Sequence, residues 1–304
     1  MGNSRWDDND YKSYAITTNY RSASAAEVFS HKVDEKLDPR NVKVGKGDRK
    51  GLQLRESVIS EANPDPTPII LGLDVTGSMG QVAVQIAKDE LPKLMTQIHA
   101  TGVVSDPHVM FMGIDDVFAQ GHGALQVSYF EPDLRIVEQL RKMWLVGNGG
   151  GNGSESYDLA WYFAGHYTHS DNFVKKGKKG FLFTFGDEPA PYQTVSPRDL
   201  ETIFGPGSYE SAKPEASLAL AKRQYQVFHI IVERGPGHTG VSTSWTKMLG
   251  NNAIFLNDTE NLTEVVLATM AVANGENIHK VISESPIAPA LRHAFQNALA
   301  SEKG

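Results

Sequence analysis

The 304-residue chain contains no cysteine. That absence excludes a disulfide framework, a thiolate zinc site and a cysteine nucleophile, and it fits a reducing compartment. Long apolar runs are missing as well. The longest, Val265 to Ala273, falls far short of the ~20 residues a membrane helix needs, so no membrane span is expected. An excess of basic charge is missing too: 29 Lys and Arg stand against 36 Asp and Glu, a formal charge of −7. A nucleic-acid binder usually carries a basic domain or stripe, so none is expected here. The N-terminus Met1-Gly2-Asn3-Ser4-Arg5-Trp6 is polar and unlike a signal peptide, and Trp6 stands where a myristoylation motif wants Ser or Thr. The expectation is a cytoplasmic protein.

The 40% of hydrophobic residues is ordinary for a folded globular chain, and a core of this size needs no disulfide support. Residues 1–65 carry 11 basic and 11 acidic groups, so the whole acid excess, 18 − 25 = −7, lies beyond them. An acidic domain is compatible with cation binding and equally with plain solubility.

Three stretches follow from the pattern: an extension or arm over 1–65, an α/β domain over 66–275 and a helical tail over 276–304. The first is polar and poor in branched aliphatics. It is read as an extended arm lying on the domain or on a neighbouring subunit, with a short helix opening near Ser22 to Phe29. Val42-Lys43-Val44 and Leu52-Gln53-Leu54 flank Gly45-Lys46-Gly47-Asp48 as a hairpin would. Asn63-Pro64-Asp65-Pro66-Thr67-Pro68 then breaks any element.

Beyond the prolines, strands alternate with helices. Ile69-Ile70-Leu71-Gly72-Leu73 is a continuous apolar run, as in a central parallel strand covered on both faces. Val84, Ala87, Leu91, Leu94, Met95 and Ile98 recur at helical spacing, with Pro92 predicting a kink. Val109 to Ile114, Gly180 to Phe185, Val227 to Val232 and Ala253 to Leu256 read as further strands, and Ala124 to Phe130 as an edge strand. Helices are predicted over Leu134 to Met143, after Glu155, over Leu262 to Ala273 and from Pro289 to Ala300. This alternation implies a doubly wound, mostly parallel Rossmann-like sheet.

In such sheets ligands bind at the carboxyl ends of the strands, where the strand order reverses. Two strands here end in an acid within a tight turn: Leu73-Asp74-Val75-Thr76-Gly77-Ser78-Met79-Gly80 and Phe185-Gly186-Asp187. Asp74, Thr76 and Ser78 alternate, so a loop leaving the strand can aim three oxygens at one point. Carboxylate and hydroxyl oxygens without nitrogen or sulfur suit a hard divalent cation.

Asp74-Val75-Thr76-Gly77-Ser78-Met79 resembles the metal-ion-dependent adhesion site of von Willebrand factor A domains, Asp-x-Ser/Thr-x-Ser, and the likeness covers about Thr67 to Asn274. It implies the von Willebrand factor A fold and a Mg²⁺ or Mn²⁺ ion held by Asp74, Thr76 and Ser78. An acid ending the fourth strand of that fold matches Asp187. The family usually adds a Thr from a glycine-containing loop before a helix. Counting back from Leu159-Ala160 puts Glu155 at that position, with Ser154 beside it. Three carboxylates leave the site net negative, and an ion so neutralised attracts a partner's carboxylate less strongly.

The resemblance implies a metal-dependent protein–protein interaction module, docking a partner through an acidic side chain on the metal or beside it. The alternatives are an accessory subunit of an AAA+ ATPase machine of the MoxR or chelatase type, and an assembly protein whose arm adds to a neighbour's sheet edge, with the oligomeric state left open. A metallohydrolase is disfavoured, because two-metal sites need a second ligand set. Asp115 and Asp116 are read as solvated loop residues, with a place beside the metal as the alternative. The glycine loop from Gly147 does not match the dinucleotide fingerprint, and no nucleotide P-loop is present. His166 and His169 lack the Glu of a zincin, and Lys175 to Lys179 reads as a solvated basic turn.

Overall fold

The computed structural model describes residues 5–41, 54–145, 155–233 and 239–302. The expected hairpin turn at Gly45 to Asp48 and the glycine loop from Gly147 to Gly153 lie outside them.

Eight strands are formed among the described residues: β1 (Arg55–Ser57), β2 (Thr67–Asp74), β3 (Pro107–Ile114), β4 (Leu125–Val127), β5 (Thr168–Ser170), β6 (Gly180–Gly186), β7 (Tyr225–Val232) and β8 (Ala253–Leu256). Six of them make one sheet in the order β4-β3-β2-β6-β7-β8. Every pairing in it is parallel except β3 with β4. This is the doubly wound, mostly parallel sheet the alternation implied. From β2 the chain winds one way to β3 and β4, then returns past β2 to β6, β7 and β8. The strand order therefore reverses between β2 and β6, and the crevice above their carboxyl ends is the switch point of the fold.

The central strands are apolar throughout because both faces are covered. Ile69, Leu71 and Leu73 of β2, Val109 and Phe111 of β3, and Phe181, Phe183 and Phe185 of β6 point into one helical layer. Ile70, Met110, Met112 and Leu182 point into the other. The first layer contains the helices Leu91–Thr101 and Leu262–Ala273. The second contains Tyr157–Tyr167, Pro197–Phe204, Pro214–Gln224 and Thr239–Leu249.

Pro92 acts one turn before its own position. The helix that starts at Gly80 widens into a π-helical turn over Ile86–Glu90 and resumes at Leu91 with Pro92 in its first turn. Proline supplies no N–H and crowds the carbonyl four residues back, so the backbone opens there. The Tyr20 hydroxyl donates to the Ala87 carbonyl in that turn at 3.0 Å.

Both ends of the chain pack on the first layer. The N-terminal stretch is not extended where it is described: Asp8–Thr17 is a helix capped by Asp7, and Trp6, Tyr20, Val28, Phe29 and Leu37 are buried in the core. Ser24 and Glu27 form a capping box for the short helix Ala25–Val28. At the other end, Ile278 and Ile282 of one short helix, Leu291 and Ala294 of the next, and Phe295 that follows it join the same core. β1 and β5 form a separate parallel pair that the hydrophobic pattern did not signal, since each is only three residues long. Among the described residues no helix is long and apolar enough to cross a membrane.

Candidate metal centre

Asp74 is the last residue of β2, and Gly186-Asp187 closes β6 beside it. After Asp74 the chain leaves the sheet through Val75 to Met79 and enters a helix at Gly80, whose φ of +45° is the left-handed region that favours glycine. This turn folds back on the strand end. The Asp74 Oδ1 accepts from the Thr76 amide at 2.9 Å and from the Thr76 hydroxyl at 2.6 Å. The Thr76 and Ser78 hydroxyls lie 3.1 Å apart, and Ser78 donates to Asp187 Oδ1 at 2.8 Å. Four of the five expected residues thus form one hydrogen-bonded chain of oxygens that bridges the ends of β2 and β6.

The fifth, Glu155, precedes the helix Tyr157–Tyr167. It is buried and its Oε2 has no hydrogen-bond partner. The charges acting on it are Asp74, Asp115, Asp116 and Glu188, all acidic. Burial first and these neighbours second push its carboxyl up to about 9. Burial also raises Asp74 to about 7 against the lowering effect of the Thr76 and Tyr157 hydrogen bonds. Glu155 therefore shares the electrostatic environment of the chain without bonding to it.

Asp115 and Asp116 correct the sequence expectation. They do not sit in a solvated loop: both are fully buried at the end of β3. Asp115 Oδ1 accepts the Asp116 amide at 2.7 Å, while its Oδ2 has no partner, and burial raises its carboxyl to about 6. Their local sequence gives no sign of burial; the chain just after them is tied to a distant helix, whose N-cap Ser156 accepts from the Val117 amide at 3.0 Å.

Tyr157 was not foreseen at all. Its hydroxyl donates to Asp74 Oδ2 at 2.7 Å from a fully buried ring. The signal in the sequence was the glycine before Asp187. A Cβ on Gly186 would stand 1.9 Å from the Tyr157 hydroxyl.

The donor set fits a hard divalent cation on two observations. Among the described residues the charges that act on Asp74 and Glu155 are all acidic, and one buried oxygen each of Asp115 and Glu155 has no hydrogen-bond partner. Carboxylates and imidazoles alone do not suffice: no three His, Cys, Asp or Glu among the described residues are grouped so as to hold an ion. The Thr76 and Ser78 hydroxyls are needed to complete a set. With a cation bound each hydroxyl would turn an oxygen lone pair to it while still donating its proton to a neighbouring carboxylate.

Other concavities carry different chemistry. A cavity of about 340 Å³ adjoins the site, with Val75, Thr76 and Gly80 on one wall and Ala25, Phe29 and His31 of the N-terminal stretch on the other. The larger cavity, about 1120 Å³, is lined by Tyr162, His166, Phe204 and Tyr209. It lies toward the far end of the eleven-residue helix whose first turn holds Tyr157. His166 and His169 face different partners: His166 packs at a tilt against Tyr162, and His169 faces Asp171. In the basic turn, Lys176 and Lys178 pair with Asp65, and Lys175 with Asp171.

No protein-family model matches the chain, and no curated protein sequence does. Solved structures are similar to it. The pilus adhesin SpaC from Lactobacillus rhamnosus GG, in its open conformation, shares 10% identity at a TM-score of 0.45, over 69% of this chain and 30% of that one. The vWF domain of the type V pili tip protein Mfa5 from Porphyromonas gingivalis shares 10% at 0.43, over 70% and 97%. Proximal thread matrix protein 1 from the mussel byssus, with a zinc-occupied MIDAS motif, shares 13% at 0.40, over 68% and 47%. The chain thus spans less than a third of the adhesin's length. At these identities and TM-scores the likeness assigns the chain to no family; its own strands show a doubly wound, mostly parallel sheet.

Proposed function

We propose that the chain is a divalent-cation-dependent protein interaction module, with Mg²⁺ or Mn²⁺ held at the switch point by Asp74, Thr76, Ser78 and Asp187 and with Glu155 completing the set. The observation that carries this reading is the continuous oxygen chain from Asp74 through Thr76 and Ser78 to Asp187, built on two adjacent strand ends. Such a cation supplies a coordination position for an oxygen of the partner. The chain's own residues set its charge and accessibility. Asp74, Thr76 and Asp187 are buried, whereas Ser78 is partly exposed, so access runs past Ser78. Ala25, Phe29 and His31 of the N-terminal stretch share a cavity with Thr76 beside the site.

The reading is non-catalytic and places the protein inside the cell. One ligand set supports one ion, whereas hydrolytic two-metal chemistry needs a second set of ligands ~3.5–4 Å away. The absence of cysteine fits a reducing compartment.

The test has two stages. Mn²⁺ titration of the full chain, with free Mn²⁺ counted by electron paramagnetic resonance, should give about one site in wild type and none in Asp74→Ala. A pull-down in Mg²⁺ and in EDTA should then capture a protein with wild type in Mg²⁺ only. Equal capture under all conditions, or Mn²⁺ binding untouched by Asp74→Ala, would overturn the reading.

A further inference from the structure

We propose that Tyr157, His229 and Trp245 form a positioning scaffold that holds the Asp74 and Asp187 loops at the spacing a cation requires, with the Tyr157 hydroxyl acting directly on Asp74. The inference rests on the metal reading above and adds three residues that reach the cation only through others.

The three rings come from separate elements: Tyr157 from the helix Tyr157–Tyr167, His229 from β7 and Trp245 from the helix Thr239–Leu249. All are fully buried. His229 stacks on Trp245 with centroids 3.5 Å apart and planes within 7°. Tyr157 meets both edge-on, at 4.9 Å from His229 and 5.4 Å from Trp245. The stack is itself anchored, since His229 Nδ1 lies 2.8 Å from the Thr184 hydroxyl of β6. A ring held by two perpendicular neighbours has no freedom to swing its hydroxyl elsewhere.

Each end of the trio then touches one of the two carboxylate-bearing loops. Tyr157 donates to Asp74 Oδ2 at 2.7 Å. Trp245 Nε1 donates to the carbonyl of Glu188, the residue after Asp187, at 2.9 Å. Asp74 Oδ1 already takes both bonds from Thr76, so the Tyr157 bond holds the remaining oxygen and fixes the carboxylate's rotation. The route of that bond is kept open by a missing side chain: Gly186 lies directly under the hydroxyl, where a Cβ would stand 1.9 Å away.

Core packing alone does not account for the hydroxyl. A phenylalanine would fill the same space, and burying a phenol is costly unless it is hydrogen-bonded. Groups that orient a metal's ligands are typically worth 10- to 100-fold in metal affinity.

The experiment uses the full chain. Mn²⁺ affinity is measured for wild type, Tyr157→Phe, Gly186→Ala and the double variant, with thermal melting in EDTA as the control for folding. Tyr157→Phe keeps the ring and should weaken Mn²⁺ binding about 10-fold or more while the metal-free protein still melts cooperatively. Gly186→Ala displaces the hydroxyl without deleting it and should do the same. The double variant should be no weaker than the poorer single one, because both remove one contact. Wild-type Mn²⁺ affinity in Tyr157→Phe, with only a lowered melting temperature, would reduce the tyrosine to packing and overturn this inference alone. A wild type that takes up no Mn²⁺ would overturn the metal reading and this inference with it.

Discussion

The two ends of the same three central strands treat their acids in opposite ways. At the amino ends, Asp65 before β2 is paired with Lys176 and Lys178 at 2.7 Å each, and Asp106 before β3 with Arg5 at 2.8 Å. The two lysines hold the Asp65 carboxyl well below the usual carboxylate range. At the carboxyl ends, Asp74, Asp115 and Glu155 are buried, and among the described residues none has an ion-pair partner; all three are pushed up. A buried acid without a counter-charge is costly to keep ionised. One end of the sheet therefore pairs its acids with cations of the chain itself, and the other buries acids whose charge the proposed cation would balance.

The largest effect that would break this contrast is at the carboxyl end. Asp74→Ala should abolish Mn²⁺ binding, a loss of more than about 100-fold, and yet fold. Wild type at Mn²⁺ 100 times its Kd should gain about 2.7 kcal/mol of stability, and the variant none. A variant that unfolds instead would make the site a structural one.

The next effect belongs to the amino end. His108 on β3 is buried against Ser57, and burial holds its imidazole down to about 4. Its folded value lies below the unfolded one of about 6.5, so the unfolded chain takes up the proton first as pH falls. Stability is then lost between about pH 6.5 and 4, by up to about 3 kcal/mol, and levels off below. Urea midpoints at pH 7.5 and 5 should diverge in wild type and converge in His108→Gln. Equal divergence in both would assign the acid sensitivity elsewhere.

A smaller change sharpens the role of Glu155. As a ligand, Glu155→Gln should weaken Mn²⁺ binding about 10-fold, or about 1.4 kcal/mol. If Glu155 only favours the positive end of the following helix, the variant keeps the wild-type Kd and melts slightly lower. The smallest effect is Asp65→Asn, at about 1 kcal/mol or less, because both lysines are largely solvated. The folded Asp65 value lies below the unfolded one, so its contribution is full above about pH 4 and fades as pH drops below that. The difference between wild type and Asp65→Asn should close over the same range.

Much of this was legible in the chain itself. The continuous apolar runs at Ile69, Val109 and Phe181 read as strands buried on both faces, and the Asp74 motif directly after one of them pointed to hard-cation chemistry. Asp187 was read the same way, from the end of its strand, and its carboxylate accepts from Ser78. The burial of Asp115 and Asp116 was not legible, since two adjacent aspartates look solvated and their local sequence gives no sign that both are fully buried. The position of Pro92 was read correctly as a disturbance, but not its form. The backbone widens into a π-turn there, and the Tyr20 hydroxyl, from far away in the chain, donates to the Ala87 carbonyl within it.

The sequence by itself determined the alternation of strands and helices, the sheet that follows from it and the oxygens of Asp74, Thr76 and Ser78, because these depend on spacing within one short segment. Only the tertiary structure decided which distant residues meet those oxygens. Tyr157 reaches Asp74, and His229 and Trp245 brace it, through contacts spanning 72 to 88 residues of chain. Local periodicity carries no information about such contacts; packing two helices and a strand around one glycine does.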